Sequence, residues 1–144
     1  MKRIEEINNP KFIKKLNINE MIELSNDIRE FILNNISQTG GHLSSNLGII
    51  DLTIAMLKVF EPSKDIIIFD VGHQCYPYKI LTGRAKEFST LRKYNGLSGF
   101  QSINESNYDK YEAEMTKSRT KEFSESDFFN LIDSKIGFAS TPLL

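Results

Sequence analysis

The sequence predicts an α/β fold that is mostly helical and carries one buried strand. Apolar residues recur with helical spacing in two stretches, at residues 19–39 and 45–59. A β-branched and aromatic run at 66–71 breaks that spacing and is bounded by turn-forming residues. The 144 residues are enough for one ordinary domain whose core needs neither a disulfide nor a metal.

The first helix is predicted to begin at Asn19, a plausible N-cap, and to end at Gly40 and Gly41. The residues before it, 1–18, are expected to form an irregular lead-in. Steps of three and four place the apolar residues on one face: Met21, Leu24, Ile28, Phe31, Ile32 and Ile36.

The second helix is predicted from near Ser44 to about Phe60, and Pro62 prevents its continuation. Its apolar residues cover nearly the whole circumference, which is typical of a helix that is buried or lies in a subunit interface. One domain of this size would leave part of that surface wet. We therefore expect marginal folding, self-association or a partner chain.

The strand at 66–71 is predicted to be buried on both faces, as in a parallel sheet. Gly72 and His73 follow its carboxyl end. Beyond it, Pro77 suits the first turn of a helix closed by Gly83, and residues 86–94 favour another helix. Residues 96–113 are rich in Gly, Ser and Asn and are expected to be loop.

The character of the sequence changes at Glu114, where charged residues become frequent. We therefore divide the chain into residues 1–113 and a divergent tail, 114–144. Within the tail, residues 124–127 would cap one short helix through Phe128 and Ile132.

Composition excludes several classes of protein. The net charge of −1 gives no basic face for nucleic acid. No apolar run approaches the roughly 20 residues that span a bilayer, and no signal peptide is recognisable, so we expect a cytoplasmic protein without a membrane partner. Cys75 is the only cysteine, which rules out an internal disulfide and fits a reducing compartment.

The segment GGHLSSNLG at 40–48 is the first candidate site. Glycines let the backbone approach a ligand, His42 can exchange a proton near neutral pH, and the following helix start suits a phosphate. The alternative is a helix–turn–helix corner with a capping serine and a hydrogen-bonded histidine. The residues alone leave both interpretations open.

His73 is the second candidate, because ligands of open α/β sheets bind beyond the carboxyl ends of the strands. A histidine bonded to a loop carbonyl is an equally acceptable interpretation. Cys75 lies two residues on, but a nucleophile needs an aligned base, and we expect a buried, inert thiol. Two histidines and one cysteine match no standard zinc spacing, so no metal site is predicted.

Together these segments resemble the N-terminal part of the 1-deoxy-D-xylulose-5-phosphate synthase family. The resemblance rests on GGHLSSNLGIIDLTIA at 40–55 and FDVGHQCYPYKILTGR at 69–84. GLSGF at 96–100 and ESNYD at 105–109 continue it in the same order. It covers about residues 15–113. It implies the opening part of a three-layer fold that binds thiamine diphosphate and Mg²⁺.

The resemblance also implies an activity and roles for particular residues. Members of this family condense pyruvate with glyceraldehyde 3-phosphate and release carbon dioxide. They make a precursor of isoprenoids, thiamine and pyridoxal. His73 would contact thiamine diphosphate, and Ser44 and Ser45 would line the same pocket. His42 would be the catalytic residue, near the reacting carbon or the substrate phosphate.

The sequence departs from the family after Ala113, where GHSST is replaced by EMTKS at 114–118. The Gly-Asp-Gly segment that helps hold Mg²⁺ is also missing, as is the Glu that activates the cofactor. We therefore expect a truncated synthase that is inactive alone. The alternatives are a non-catalytic module that docks on the full-length enzyme and one chain of a split enzyme.

Overall fold

The computed structural model describes residues 3–109, and its secondary structure there is helical. The elements are two 3-10 turns (Ile4–Glu6 and Pro10–Lys15), α1 (Ile18–Thr39), α2 (Ser44–Gly48), α3 (Ile50–Val59), α4 (Tyr76–Lys79), a π-helical turn (Ile80–Arg84) and a 3-10 helix (Ala85–Thr90). None of these helices is long and apolar enough to cross a bilayer. The mostly helical prediction is confirmed, whereas the predicted tail helix lies outside the described residues.

Helix α1 forms where its apolar spacing predicts, but it begins earlier. Its N-cap is Asn17, not Asn19, because Asn17 and Glu20 form a reciprocal capping box. The Asn17 side chain accepts from the Glu20 N–H at 3.0 Å, and the Glu20 carboxylate accepts from the Asn17 N–H at 2.7 Å. The helix ends at Gly40, whose φ of 71° is in the left-handed region.

The lead-in before α1 is more ordered than predicted. Its two 3-10 turns bury Ile4, Pro10 and Ile13, and Ile7 between them is also buried. The apolar residues explain the order, since they pack into the same core as α1. The irregular lead-in was therefore a wrong prediction.

The predicted second helix is interrupted at Ile49, where α2 ends and α3 begins. Helix α3 buries Ile50, Ile54 and Leu57, yet Val59 is 73% exposed and Leu52 is 56% exposed. Within residues 3–109 helix α3 is therefore not buried all round, and the expected exposure of part of its apolar surface is confirmed. One face of α3 packs on α1 and on Pro10–Lys15, and the described residues supply no cover for the other face.

No strand forms within residues 3–109, but the Ile67 carbonyl and the Phe69 N–H bond the same partner, as they would on one side of an extended segment. A strand is defined by hydrogen bonds to a neighbouring backbone, and here the backbone groups bond a side chain instead. The Gln101 amide donates to the Ile67 carbonyl at 3.0 Å and accepts from the Phe69 N–H at 3.2 Å. Only Ile67 and Phe69 of this segment are buried. The predicted strand, buried on both faces, is corrected accordingly to a one-sided extended segment.

The chain after Pro77 is helical, as predicted, through α4 and the π-helical turn. Gly83 has a φ of 100°, and a Cβ there would lie 2.5 Å from the Asn8 carbonyl oxygen, so the lead-in requires glycine at this corner. The next helix, predicted for 86–94, is the shorter 3-10 helix Ala85–Thr90. Residues 96–109 form the predicted loop.

Candidate functional site

His42 and His73 meet at one surface of the fold. His42 follows the glycine turn that ends α1, and His73 follows the extended segment. The centroids of the two imidazole rings lie 4.8 Å apart, with the ring planes at 61° in an edge contact. His42 is exposed and His73 is half-buried. Their ring nitrogens make no hydrogen bond to any residue within 3–109, so both can contact a ligand.

A glycine precedes each histidine and allows the two turns to lie close to their neighbours. Gly41 has a φ of 143°, and a Cβ there would lie 3.0 Å from both Ile36 Cδ1 and the Tyr76 hydroxyl. Gly72 has a φ of 101°, and its Cβ would lie 3.0 Å from Phe100 Cδ1. Larger residues would be strained at both positive φ values, and their Cβ atoms would crowd these neighbouring side chains.

Asn46 joins the two histidine segments from below. Its side chain is fully buried, and its amide nitrogen donates to the His42 carbonyl at 2.7 Å and the His73 carbonyl at 2.9 Å. Its amide oxygen accepts from the Tyr76 N–H at 2.9 Å. No sequence pattern pointed to a role for this residue. An asparagine in the GGHLSSNLG turn was the available signal, but its partner segment lies 27 residues away.

Tyr76 lies beneath the same surface and is fully buried. Its ring packs edge-on against Phe88, and its hydroxyl makes no hydrogen bond of ordinary geometry within the described residues. Burial raises the pKa of this hydroxyl, and the nearby backbone N–H of His42 offsets only part of the rise. The histidine pair therefore lies on a well-packed support.

Ser44 and Ser45 occupy the first two positions of α2. Ser44 is exposed and Ser45 is half-buried, and neither side chain hydrogen-bonds to another described residue. Both hydroxyls are thus available near His42, although no contact joins them to either imidazole.

Cys75 is not a nucleophile in this arrangement. Its side chain is fully buried, with Sγ 3.7 Å from the Gly99 carbonyl oxygen, and burial raises the pKa of the thiol to about 12. The expected burial of this thiol is confirmed. Across residues 3–109 no three His, Cys, Asp or Glu side chains converge in a way that would hold a metal ion.

Comparison with known proteins agrees with the sequence resemblance. The family profile described as 1-deoxy-D-xylulose-5-phosphate synthase matches residues 4–121. Proteins of that name from Geobacillus sp. (strain WCH70) and Macrococcus caseolyticus are each 54% identical, over 109 and 110 residues. The Bacillus cereus (strain AH187) protein is 53% identical over 109 residues.

These alignments cover 76% of this chain but only 17–18% of each relative, so the chain spans less than a fifth of the proteins that it matches. The aligned length and identity are nevertheless well beyond coincidence, and the profile covers both histidine segments. The chain belongs to the 1-deoxy-D-xylulose-5-phosphate synthase family.

Proposed function

We propose that this chain forms the opening part of the active site of a 1-deoxy-D-xylulose-5-phosphate synthase. The whole enzyme would condense pyruvate with glyceraldehyde 3-phosphate. One observation carries the proposal: two imidazoles from separate segments are held 4.8 Å apart at the surface, with their ring nitrogens unengaged by described residues. A purely structural histidine would be expected to use those nitrogens within the fold.

The residues present fit the outer contacts of thiamine diphosphate, which supplies the electron sink for decarboxylating pyruvate when bound. His73, on its glycine turn, would donate a hydrogen bond to it. Ser44 and Ser45 would line the pocket with their free hydroxyls. His42, the more exposed imidazole, would face the substrate and move a proton at a ring nitrogen.

The magnesium ligands would come from residues other than these histidines and serines. Mg²⁺ prefers a near-octahedral set of oxygen ligands, and the sequence contains no Gly-Asp-Gly segment that would supply some of them. We therefore propose that the chain alone does not turn over. We also propose that the extended segment at 66–69 gains strand neighbours, within a three-layer fold, from the remainder of the enzyme.

A docking module is the second candidate, favoured by an apolar groove between α1 and α3. Ile18, Ile22 and Val59 line this groove and are 64%, 54% and 73% exposed. Such surface is uncommon on a monomer, and a further synthase segment or a second copy of this chain would cover it. The single buried thiol suits a reducing compartment, so we propose a cytoplasmic location.

A chimera tests the proposal. Residues 1–113 of this chain replace the matching segment of the Geobacillus synthase, and thiamine-dependent release of carbon dioxide from pyruvate is measured. We expect activity, because the missing ligand groups are then present. His73→Ala should raise the thiamine diphosphate concentration needed for half-maximal rate by at least about tenfold, the loss of one charge-assisted contact.

The matched control is Tyr94→Ala, which removes an aromatic side chain that is 96% exposed and should leave the rate unchanged. A folded but inactive chimera would contradict the proposal. If this chain then co-sedimented with the intact relative, the docking module would become the better interpretation.

A further inference from the structure

We propose that Asn46 is a positioning residue whose side-chain amide holds His42 and His73 next to each other. What the pair binds depends on the function proposed above, but the positioning itself does not. The amide nitrogen donates both of its protons to backbone carbonyls of the two histidines, at 2.7 and 2.9 Å. One small group therefore sets the distance between two segments 27 residues apart in the chain.

The orientation of this amide is fixed by its partners. Both carbonyls are acceptors and the Tyr76 N–H is a donor, so only one of the two possible orientations satisfies all three groups. Asn46 is fully buried, where water cannot replace a lost bond. Rotating the amide by half a turn would place its oxygen against two carbonyl oxygens.

No other hydrogen bond within the described chain joins residues 40–43 to residues 72–74. The imidazoles of the two turns also make an edge contact, which does not fix a backbone separation. The glycines on each side allow several backbone conformations, so the turns do not fix their own separation. The amide supplies the constraint that the glycine turns lack.

The third hydrogen bond ties this arrangement to the core. Tyr76 opens α4 and is fully buried, and its N–H has no earlier helical carbonyl to bond. By accepting from it at 2.9 Å, Asn46 fastens both histidine turns to the start of a packed helix. Asn46 therefore fixes the position of the histidine turns relative to α4 as well as their separation from each other.

Asn46→Asp tests the positioning role with almost no change of shape. The carboxylate keeps an acceptor for the Tyr76 N–H but loses both donors and faces two carbonyl oxygens. In the isotope-labelled 144-residue chain without ligand, we expect the nuclear Overhauser effect between the two imidazoles to disappear. Signals of core methyl groups, such as Ile28 and Ile32, should keep their positions.

Asn35→Asp is the matched control. Asn35 also donates from its side-chain amide to a carbonyl, that of Phe31 at 2.9 Å, but this bond lies within α1 and involves neither histidine turn. The same substitution there adds the same charge and removes the same kind of bond. It should leave the imidazole contact intact, which separates a local positioning effect from a general loss of stability.

Asn46→Ala provides a charge-free second variant. It should also abolish the imidazole contact, and the Tyr76 amide proton should exchange with solvent roughly tenfold faster, the loss expected for one buried hydrogen bond. A folded variant of either kind that keeps the contact would overturn the proposal. So would the absence of the contact from the unmodified chain.

Should both variants unfold, the unmodified chain decides the question. The two side-chain amide protons of Asn46 should exchange slowly and show contacts to both histidine turns, whereas rapid exchange would overturn the proposal. These measurements contain no thiamine diphosphate. An inactive chimera would thus refute the proposed function and leave this result standing.

Discussion

Two polar regions of the molecule differ in how their groups are satisfied. In the charge cluster formed by Lys79, Arg84, Glu105 and Asp109 every charge is paired with an opposite charge, although the buried Arg84 Nε makes no hydrogen bond to a described residue. Arg84 binds Asp109 through two parallel contacts at 2.5 and 3.1 Å, and Lys79 pairs with Glu105. On the histidine surface, by contrast, the backbone is firmly bonded and the imidazole nitrogens are left available.

The difference separates a structural role from a binding role. The acids of the charge cluster also accept loop N–H groups, since Glu105 bonds Ser98 at 2.5 Å and Asp109 bonds Ser102 at 2.8 Å. The bonds to Ser98 and Ser102 lie within the loop, and the ion pairs with Lys79 and Arg84 tie the loop to α4 and the π-helical turn. On the histidine surface the hydrogen bonds hold the backbone in place, so the imidazole side chains can bind a ligand.

The largest effect is expected from Asp109→Asn, which breaks the charge cluster without changing its shape. Arg84 is 4% exposed and would be left with an incompletely compensated charge. We expect the free energy of unfolding to fall by about 3 kcal/mol. The midpoint of urea unfolding, read by far-ultraviolet circular dichroism, measures this loss.

Asp65→Asn is the control for that substitution. Asp65 is exposed and accepts from the Glu61 N–H at 2.6 Å, a bond that an amide oxygen can also accept. Its effect should stay within about 0.5 kcal/mol. If Asp109→Asn were no more costly than this control, the charge cluster would not be the structural element that we describe.

Alkaline pH should have the next largest effect, because the support beneath the histidines contains buried acids. Burial raises the pKa of Cys75 from 9.0 to about 12 and also raises the pKa values of Tyr76 and Tyr78. The unfolded chain therefore loses these protons first. Stability is complete below about pH 9 and falls as pH rises towards 12, by about 1.4 kcal/mol at pH 10 for the thiol alone.

Urea midpoints at pH 7 and pH 10 test this expectation. Cys75→Ala should lower stability at both pH values but reduce the difference between them, because the group that titrates is gone. Tyr94→Phe, on the surface, should leave the difference unchanged. An equal pH dependence in the native chain and Cys75→Ala would show that this thiol is not sealed from solvent.

The sequence predicts the local features of this fold better than the long-range ones. The spacing of apolar residues in α1 and the glycine turns before both histidines depend only on nearby residues. The role of Asn46 depends on a segment 27 positions away, and nothing in its own neighbourhood reveals that segment. The charge cluster was missed for the same reason, since Arg84 and Asp109 lie 25 positions apart.

The strand at 66–71 illustrates a different limit. Its β-branched composition predicts a strand, but a strand is defined by its neighbours, and composition does not say which neighbours are present. Among the described residues, Gln101 bonds Ile67 and Phe69 instead. The largely apolar helix α3 has the same limit, because its pattern indicates a surface that favours burial and does not identify the segment that covers it.

The smallest effect on stability is expected from removing the imidazoles themselves. His42→Ala and His73→Ala should each change the free energy of unfolding by less than about 1 kcal/mol, because neither ring hydrogen-bonds to a described residue. The urea midpoints used for Asp109→Asn measure this difference directly. If His73→Ala cost as much as Asp109→Asn, the histidine surface would be a second structural cluster. A small loss of stability together with weaker use of thiamine diphosphate in the chimera would identify the pair as a binding surface. Substitutions in a binding surface remove function while the core beneath it stays folded.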